Sequence, residues 1–219
     1  MRTAEVFLVD CRPVPTQRVL VLRHGESAWN VERRWQGWCD APLTELGEQQ
    51  AAARGRSLAH YGVTPRVIYT SDLGRARRTA EIVAAHLEVP VVADAGFRER
   101  NGGDWQGRTA DEIDAAWPGL RERWRRGEMT APPGGEGDDD VLDRFDEAFK
   151  RAIDHVGTGL LIIVTHHGLL RVVATRAGAD VHTLIPNLGG YWFDLQRGSL
   201  HRPEPLAEVV SDGERPAIE

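Results

Sequence analysis

Apolar positions along the chain fall into two alternating rhythms. Short apolar runs of strand length recur at Val19 to Leu22, Val67 to Tyr69, Val89 to Val92, Leu160 to Val164 and Tyr191 to Leu195. Between them, apolar residues stand three and four apart. One such series is Leu73, Ala76, Ala80, Val83 and Leu87; another is Leu142, Phe145, Phe149, Ala152 and Val156. Each series lines one face of a helix. Thr44, followed by Glu45 and Glu48, caps a further helix that runs to His60 and ends at Gly62. Ser71 or Asp72 is the expected cap of the helix after the second strand. Shorter helices are expected over Thr109 to Trp117 and Leu169 to Ala177. Strands alternating with helices predict an α/β layer fold, three layers around a mostly parallel sheet. One domain is expected over residues 18–200. Residues 1–17, with Val6 to Val9 as a further edge strand or a loose arm, form an N-terminal extension. Residues 201–219 read as a polar, mobile tail.

Composition narrows this picture in a few places. A chain of 219 residues suits one sizeable core. A net charge of −6 offers no basic face for nucleic acid. No apolar run nears the roughly 20 residues that span a bilayer, so no membrane association is expected. The run at Val6 to Val9 is too short for the core of a signal peptide. Cys11 and Cys39 are too sparse for a disulfide framework and fit a reducing cytoplasm. The loop from Gly25 to Leu43 carries Trp29, Trp35 and Trp38, rings expected to fold down as a lid over the core.

Candidate chemistry gathers at the strand ends. The first strand stops in Arg23-His24-Gly25, the second leads to Ser71 through Arg75, Glu99 follows the third, and Thr165-His166-His167-Gly168 follows the fourth. Parallel strands share a direction, so their carboxyl ends meet on one edge, where ligands of open α/β sheets bind. Two guanidinium groups and a helix N-terminus make a cradle for phosphate. Two histidines and a carboxylate supply a nucleophile, a charge stabiliser and a proton donor. Neither a lysine-bearing phosphate loop nor a metal-ligand cluster accompanies them, so no metal and no cofactor are expected. Arg23 should disfavour an imidazolium at the neighbouring His24, whereas a dianion bound beside His166 would favour the protonated ring there. Neighbouring side chains at a strand end diverge. His166 is therefore expected in the pocket and His167 turned aside, flanking the substrate.

The ordered set of motifs resembles the histidine phosphatase superfamily, the group that contains the cofactor-dependent phosphoglycerate mutases. The residues that carry the resemblance are Leu22-Arg23-His24-Gly25-Glu26-Ser27 with Asn30, Gln36-Gly37, Asp40, Leu43-Thr44 and Gly47. It continues through Thr70-Ser71-Asp72-Leu73, Arg75, Arg78, Glu99, Gly103, Trp105, Gly107, Gly134-Gly135-Glu136 and Thr165-His166. Many relatives have glycine or alanine where this chain has His167. The resemblance implies a phosphoglycerate mutase-like fold and phosphoryl transfer through His24 from a small phosphate monoester. Glu99 would protonate the leaving group and then activate water, while Arg23, Arg75 and His166 hold the phosphoryl oxygens. Ser27, Asn30, Gln36, Gly37 and His167 are the expected substrate-binding residues. Glu26 and Asp104 are the nearby acids that could replace Glu99, although each reads better as a loop hydrogen-bonding group.

The moderate length between Gly103 and Glu136 resembles the phosphatase branch more than the mutases, so hydrolysis of a phosphoglycerate or sugar phosphate is expected. A phosphoglycerate mutase is the alternative, and a non-catalytic phospho-ligand-binding relative is a second one. The arginines from Arg121 to Arg126 read as a solvated helix face, with a substrate-carboxylate contact as the other reading. The sequence leaves the oligomeric state open, a homodimer included.

Overall fold

A computed structural model describes residues 17–181 and 184–207. The extension before Gln17, with the run at Val6 to Val9, lies outside the described residues. Six strands form one mixed sheet. They are β1 (Gln17–Arg23), β2 (Ile68–Thr70), β3 (Val91–Ala93), β4 (Leu161–Thr165), β5 (Gly190–Gln196) and β6 (Ser199–Pro205), in the spatial order β3-β2-β4-β1-β5-β6. The first four run parallel, while β5 is antiparallel to β1 and to β6. Seven helices accompany them: α1 (Ala28–Val31), α2 (Glu45–His60), α3 (Gly74–Leu87), α4 (Ala110–Ala116), α5 (Leu120–Arg125), α6 (Asp138–Val156) and α7 (His167–Arg176).

Side-chain alternation in the central strands divides the core into two layers. Val19, Val21, Leu161 and Ile163 pack with Phe145 and Phe149 of α6 and Leu170 and Val173 of α7. Leu20, Leu22, Ile162 and Val164 point the other way, onto Ala51 and Leu58 of α2 and Ala76, Ala80 and Val83 of α3. Both faces of β1 and β4 are buried, which is why those strands read as unbroken apolar runs. The three-layer α/β fold expected from the sequence is the observed one.

Three local expectations need correction. Residues 201–205 belong to β6 and pair with β5 instead of starting a mobile tail. The hairpin turns through Arg197 and Gly198, both at positive φ, the two-residue geometry that matches strand twist. Its outer strand is polar and carries Pro203 and Pro205, residues that only an edge strand tolerates. At the other end, Gln17 is the first residue of β1. Lastly, neither Ser71 nor Asp72 is the N-cap of α3. That position is Leu73, without a side-chain cap bond. The free N–H groups of Gly74 and Arg75 are met by the carboxylate of Asp40, from a loop distant in sequence. Asp72 is drawn instead into a two-point ion pair with Arg98.

The tryptophan loop does fold down. Trp35 meets Trp105 and Trp124 edge-on at 5.0 and 5.3 Å between ring centroids, a cluster that fixes α5 and the segment after Glu99 to the rest of the domain. The arginines of α5 are engaged with acids. Arg121 binds both oxygens of Asp114, Arg125 faces Glu122, and Arg123 and Arg126 share Glu128. This is the ion-paired helix face, and it leaves no arginine of the cluster unpaired.

Candidate active site

The carboxyl ends of β1 and β4 lie side by side at the centre of the sheet, with Arg23 opposite Thr165. One residue further on, His24 N donates to the Thr165 carbonyl at 2.9 Å, which brings the His24 and His166 rings to 5.1 Å with a 62° interplanar angle. Both histidines are buried. Gly25 lets the chain turn there. A Cβ at Gly25 would stand 2.5 Å from the Gly47 carbonyl oxygen, so only glycine admits the close passage over α2.

The tautomer of His24 follows from one bond. Its Nδ1 lies 2.6 Å from the Gly25 carbonyl oxygen, which can only accept, so Nδ1 carries the proton and Nε2 presents a lone pair. The imidazole is held neutral. Burial first, then the charges of Arg75 and Arg23, push its pKa well below 6.5. His166 is pushed in the same direction by burial and by Arg75, so in the ligand-free site it is neutral as well. The imidazolium expected at His166 therefore depends on the charge a bound phosphoryl group brings.

Around these rings stand donors without partners. Among the described residues, the buried side-chain polar atoms lacking a hydrogen bond are Arg23 Nε, Arg75 Nε, both ring nitrogens of His166, and Trp105 Nε1. An unpaired buried donor costs about 1–3 kcal/mol, so their concentration on three neighbouring side chains marks a place built to hold hydrogen-bonding oxygens. Arg23 Nη1 and both terminal nitrogens of Arg75 are committed. Arg23 Nη1 donates to the Ile185 carbonyl at 2.6 Å, and Arg75 donates to the Gly37 and Cys39 carbonyls, each at 2.8 Å. Burial lowers Arg23 to about 10, which leaves it cationic at neutral pH. The Nε groups thus come on rigid, positively charged side chains.

Glu99 reaches the site by a different route, through a tight turn (Ala95–Phe97) after β3. Its Oε1 accepts from Arg100 N at 2.7 Å and Leu169 N at 3.1 Å, and its Oε2 accepts from Gly168 N at 3.0 Å. The carboxylate thereby caps the N-terminus of α7 directly behind His166. Among the described residues Oε2 accepts one bond, and it keeps a lone pair on which a proton can ride. The field of Glu99 acts on both Arg23 and Arg75.

The remaining residues expected at the site form its margin. Ser27 N and Oγ each lie 3.1 Å from Asn30 Oδ1, and Ser27 Oγ lies 2.9 Å from Gln36 Oε1. Gly37, at φ +52°, contributes the carbonyl that Arg75 grips. His167 is half-buried, and its Nδ1 accepts weakly from Ile185 N at 3.4 Å. Burial lowers it to about 4, with Glu99 opposing that shift and Arg23 adding to it. The ring is therefore beside the site and within the field of its charges, less turned aside than strand alternation suggested, because α7 begins at this residue. Glu26 is occupied with the Thr44 hydroxyl at 2.8 Å, a loop contact.

Sequence reasoning missed three supporting residues. Asn187 Nδ2 donates to the His24 carbonyl at 2.9 Å, Arg144 grips Glu136 and the carbonyls of Gly96, Arg98 and Glu99, and Trp38 Nε1 donates to the Glu99 carbonyl at 2.7 Å. Pro186-Asn187 before a double glycine was readable as a turn, but nothing in its composition says that it closes over the end of β1.

A mixed sheet whose parallel strands gather two neutral histidines, two cationic arginines and a carboxylate at one edge defines a phosphoryl-handling α/β enzyme. The comparisons with known proteins narrow that class. The family described as the histidine phosphatase superfamily (branch 1) matches residues 19–188, and the chain belongs to it. Its sequence is 38% identical over 182 residues to a glucosyl-3-phosphoglycerate phosphatase of Mycolicibacterium vanbaalenii, covering 80% of each chain. It is 37% identical over 180 residues to a 2,3-bisphosphoglycerate-dependent phosphoglycerate mutase of a Methylobacterium species, covering 78% of this chain and 86% of that one. Among solved structures, a mycobacterial glucosyl-3-phosphoglycerate phosphatase in complex with VO3 superposes with a TM-score of 0.76 at 30% identity, over 89% of this chain and all of that one. The YhfR protein of Bacillus stearothermophilus gives 0.76 at 35% identity, over 84% and 94%.

Proposed function

We propose that the protein is a phosphomonoesterase that works through a phosphohistidine on His24. The observation that carries this reading is the bond from His24 Nδ1 to the Gly25 carbonyl. It frees Nε2 for attack beside the unpartnered donors of Arg23, Arg75 and His166. In the first half-reaction, the Nε2 lone pair forms a bond to phosphorus as the ester P–O bond breaks, and Glu99 gives its proton to the departing alkoxide. In the second, Glu99 takes a proton from water as water oxygen attacks phosphorus and the P–N bond breaks. Arg23, Arg75 and His166 neutralise the equatorial oxygens in both steps. Asn30, whose Nδ2 is engaged by no hydrogen bond among the described residues, supplies a further donor at the margin, beside Ser27, Gln36, Gly37 and His167.

The substrate is a small phosphorylated metabolite. Glucosyl-3-phosphoglycerate and 3-phosphoglycerate are the first candidates, on the strength of the M. vanbaalenii relative. The test is release of inorganic phosphate from these esters by purified protein, with and without a chelator. It is paired with detection of an acid-labile, base-stable phosphoenzyme, and turnover without that intermediate would reject the mechanism.

A mutase is the second reading, supported by the Methylobacterium relative. Transfer from 2,3-bisphosphoglycerate to 2-phosphoglycerate, faster than release of phosphate to water, would replace the first reading with the second. No helix among the described residues is long and apolar enough to cross a membrane. A cytoplasmic setting is proposed on the sparse cysteines, two in the chain, which suit a reducing compartment. A homodimer is the assembly we would look for first, by sedimentation.

A further inference from the structure

The phosphoryl group has its cradle and the leaving oxygen has its acid, yet no contact described so far touches the rest of the alcohol. That portion must leave the buried cradle on the side of Glu99, where the bridging oxygen is protonated, and run toward solvent. Among the described residues, the exposed large side chain fastened to the Glu99 backbone is Trp38.

The indole is both exposed and fixed. Trp38 is 36% exposed, one of five large apolar residues on the described surface. Its only polar atom, Nε1, is spent on the Glu99 carbonyl at 2.7 Å. Its backbone N–H donates to Gln106 Oε1 at 2.6 Å, while the carbonyls on either side of it, Gly37 and Cys39, are gripped by Arg75. Finally, the Arg98 guanidinium lies over the ring at 5.1 Å from its centroid and is itself locked to Asp72 by two bonds. The indole is therefore held at Nε1 and under Arg98, on a backbone anchored through its own N–H and the flanking carbonyls, without any ligand. A rigid aromatic surface with no polar atom to offer recognises another flat, weakly polar face. Because it is already ordered, stacking on it costs little entropy.

We propose that Trp38 is a specificity-determining residue on which a ring of the leaving alcohol stacks, so that the favoured substrates are phosphomonoesters whose alcohol carries a ring, sugar or aromatic. This rests on the phosphatase reading above. It also joins the two halves of the site, since the loop that Arg75 grips is the loop that carries the platform.

Two substitutions separate stacking from support of Glu99. Trp38→Gln keeps an N–H for the Glu99 carbonyl and removes the ring; Trp38→Phe keeps a ring and removes the N–H. Steady-state kcat/KM is measured for benzyl phosphate and glucose 6-phosphate, each divided by the value for ring-free glycerol 3-phosphate. Misplacement of Glu99 affects all three alkyl esters alike and cancels in the ratio. Trp38→Gln should lower the ratio about 2- to 10-fold, the range expected of one aromatic stacking contact, mostly through KM. Trp38→Phe should hold it within about twofold of the wild type. A fall with benzyl phosphate alone assigns the platform to aromatic rings, and a fall with glucose 6-phosphate to sugars. Ratios unchanged in Trp38→Gln, or lowered equally in both variants, overturn the proposal while leaving the phosphatase intact. If the wild-type protein hydrolyses none of the three esters, the platform as a general ring site is overturned, and the phosphatase reading is judged separately by phosphate release from glucosyl-3-phosphoglycerate and 3-phosphoglycerate.

Discussion

Glu99 and Gly168 occupy each other's space. A Cβ built on Gly168 would lie 2.4 Å from Glu99 Oε1, and the Gly168 N–H donates to Oε2 of the same carboxylate at 3.0 Å. The glycine directly after the two histidines is thus the vacancy that admits the proposed acid to the head of α7. One consequence is a remote way to disable proton transfer. Gly168→Ala should displace the carboxylate and lower kcat on alkyl phosphates by at least about tenfold, within the roughly 10²–10⁴-fold that a general acid contributes. Activity on p-nitrophenyl phosphate, whose leaving group needs little protonation, should fall much less. Equal losses on both substrates would mean that the alanine disturbs the cradle instead.

Direct replacement of the acid makes the same comparison sharper. Glu99→Gln should reduce turnover of alkyl phosphates by about 10²–10⁴-fold and leave p-nitrophenyl phosphate within about tenfold of wild type. Its amide offers one oxygen to the three N–H groups that the carboxylate accepts, so the melting temperature should fall as well, and the comparison of the two substrates isolates proton donation. If the two substrates respond in parallel, Glu99 is not the proton donor.

The two histidines should separate in their effect on the covalent step. His24→Ala is expected to abolish the acid-labile phosphoenzyme, because it removes the Nε2 lone pair that the bond from Nδ1 to the Gly25 carbonyl leaves free for attack. His166→Ala should still form it, with kcat reduced about 10²–10³-fold, the cost of one donor to a developing oxyanion. Trapping with radiolabelled substrate and acid quenching measures both. A phosphoenzyme persisting in His24→Ala would move the nucleophile elsewhere.

Two buried neutral histidines and a half-buried third set a pH dependence of stability. The pKa values of His24 and His166 lie well below 6.5 in the fold, and that of His167 is lowered to about 4. In the unfolded chain each returns to about 6.5. Below that value the unfolded state binds more protons than the native state, so stability falls as pH decreases. Above it neither state is protonated and these groups add no slope. Denaturant unfolding from about pH 7 down to about pH 4 should therefore show progressive loss, up to about 1.4 kcal/mol per pH unit for each group fully titrating only when unfolded. His167→Asn should flatten the curve above pH 4 by one group's share, and an unchanged slope would contradict its burial as a neutral ring.

Arg144 supports the acid from behind. It binds both oxygens of Glu136 and three carbonyls, including that of Glu99, with only 17% of its side chain exposed. Arg144→Met should destabilise the protein by about 2–3 kcal/mol, the scale of bonds to a charged group, in urea unfolding. It should also depress turnover of alkyl esters more than that of p-nitrophenyl phosphate.

The elements were legible from the sequence wherever burial imposed a period. β1 and β4 are buried on both faces and appear as unbroken apolar runs, while α3 and α6 show three-and-four spacing because each has one face on the sheet. β6 was not legible. As the outer strand of a hairpin it buries little beyond Leu200, so its polar residues and prolines resembled a tail. The cap of α3 was hidden for another reason: its acceptor, Asp40, comes from a separate loop, and local rules favoured the nearer Ser71 and Asp72.

By itself, the sequence determined the layer architecture and the cast of charged groups, since strand direction sends Arg23, Arg75, Glu99 and His166 to one edge of the sheet. Only the tertiary structure decided their states. The Gly25 carbonyl chooses the His24 tautomer, burial among guanidinium groups makes both imidazoles neutral, and the head of α7 fixes the Glu99 carboxylate. Periodicity reports which face of an element meets the core. Proton positions and orphaned donors depend instead on contacts within about 3 Å, made between segments that sequence spacing does not bring together.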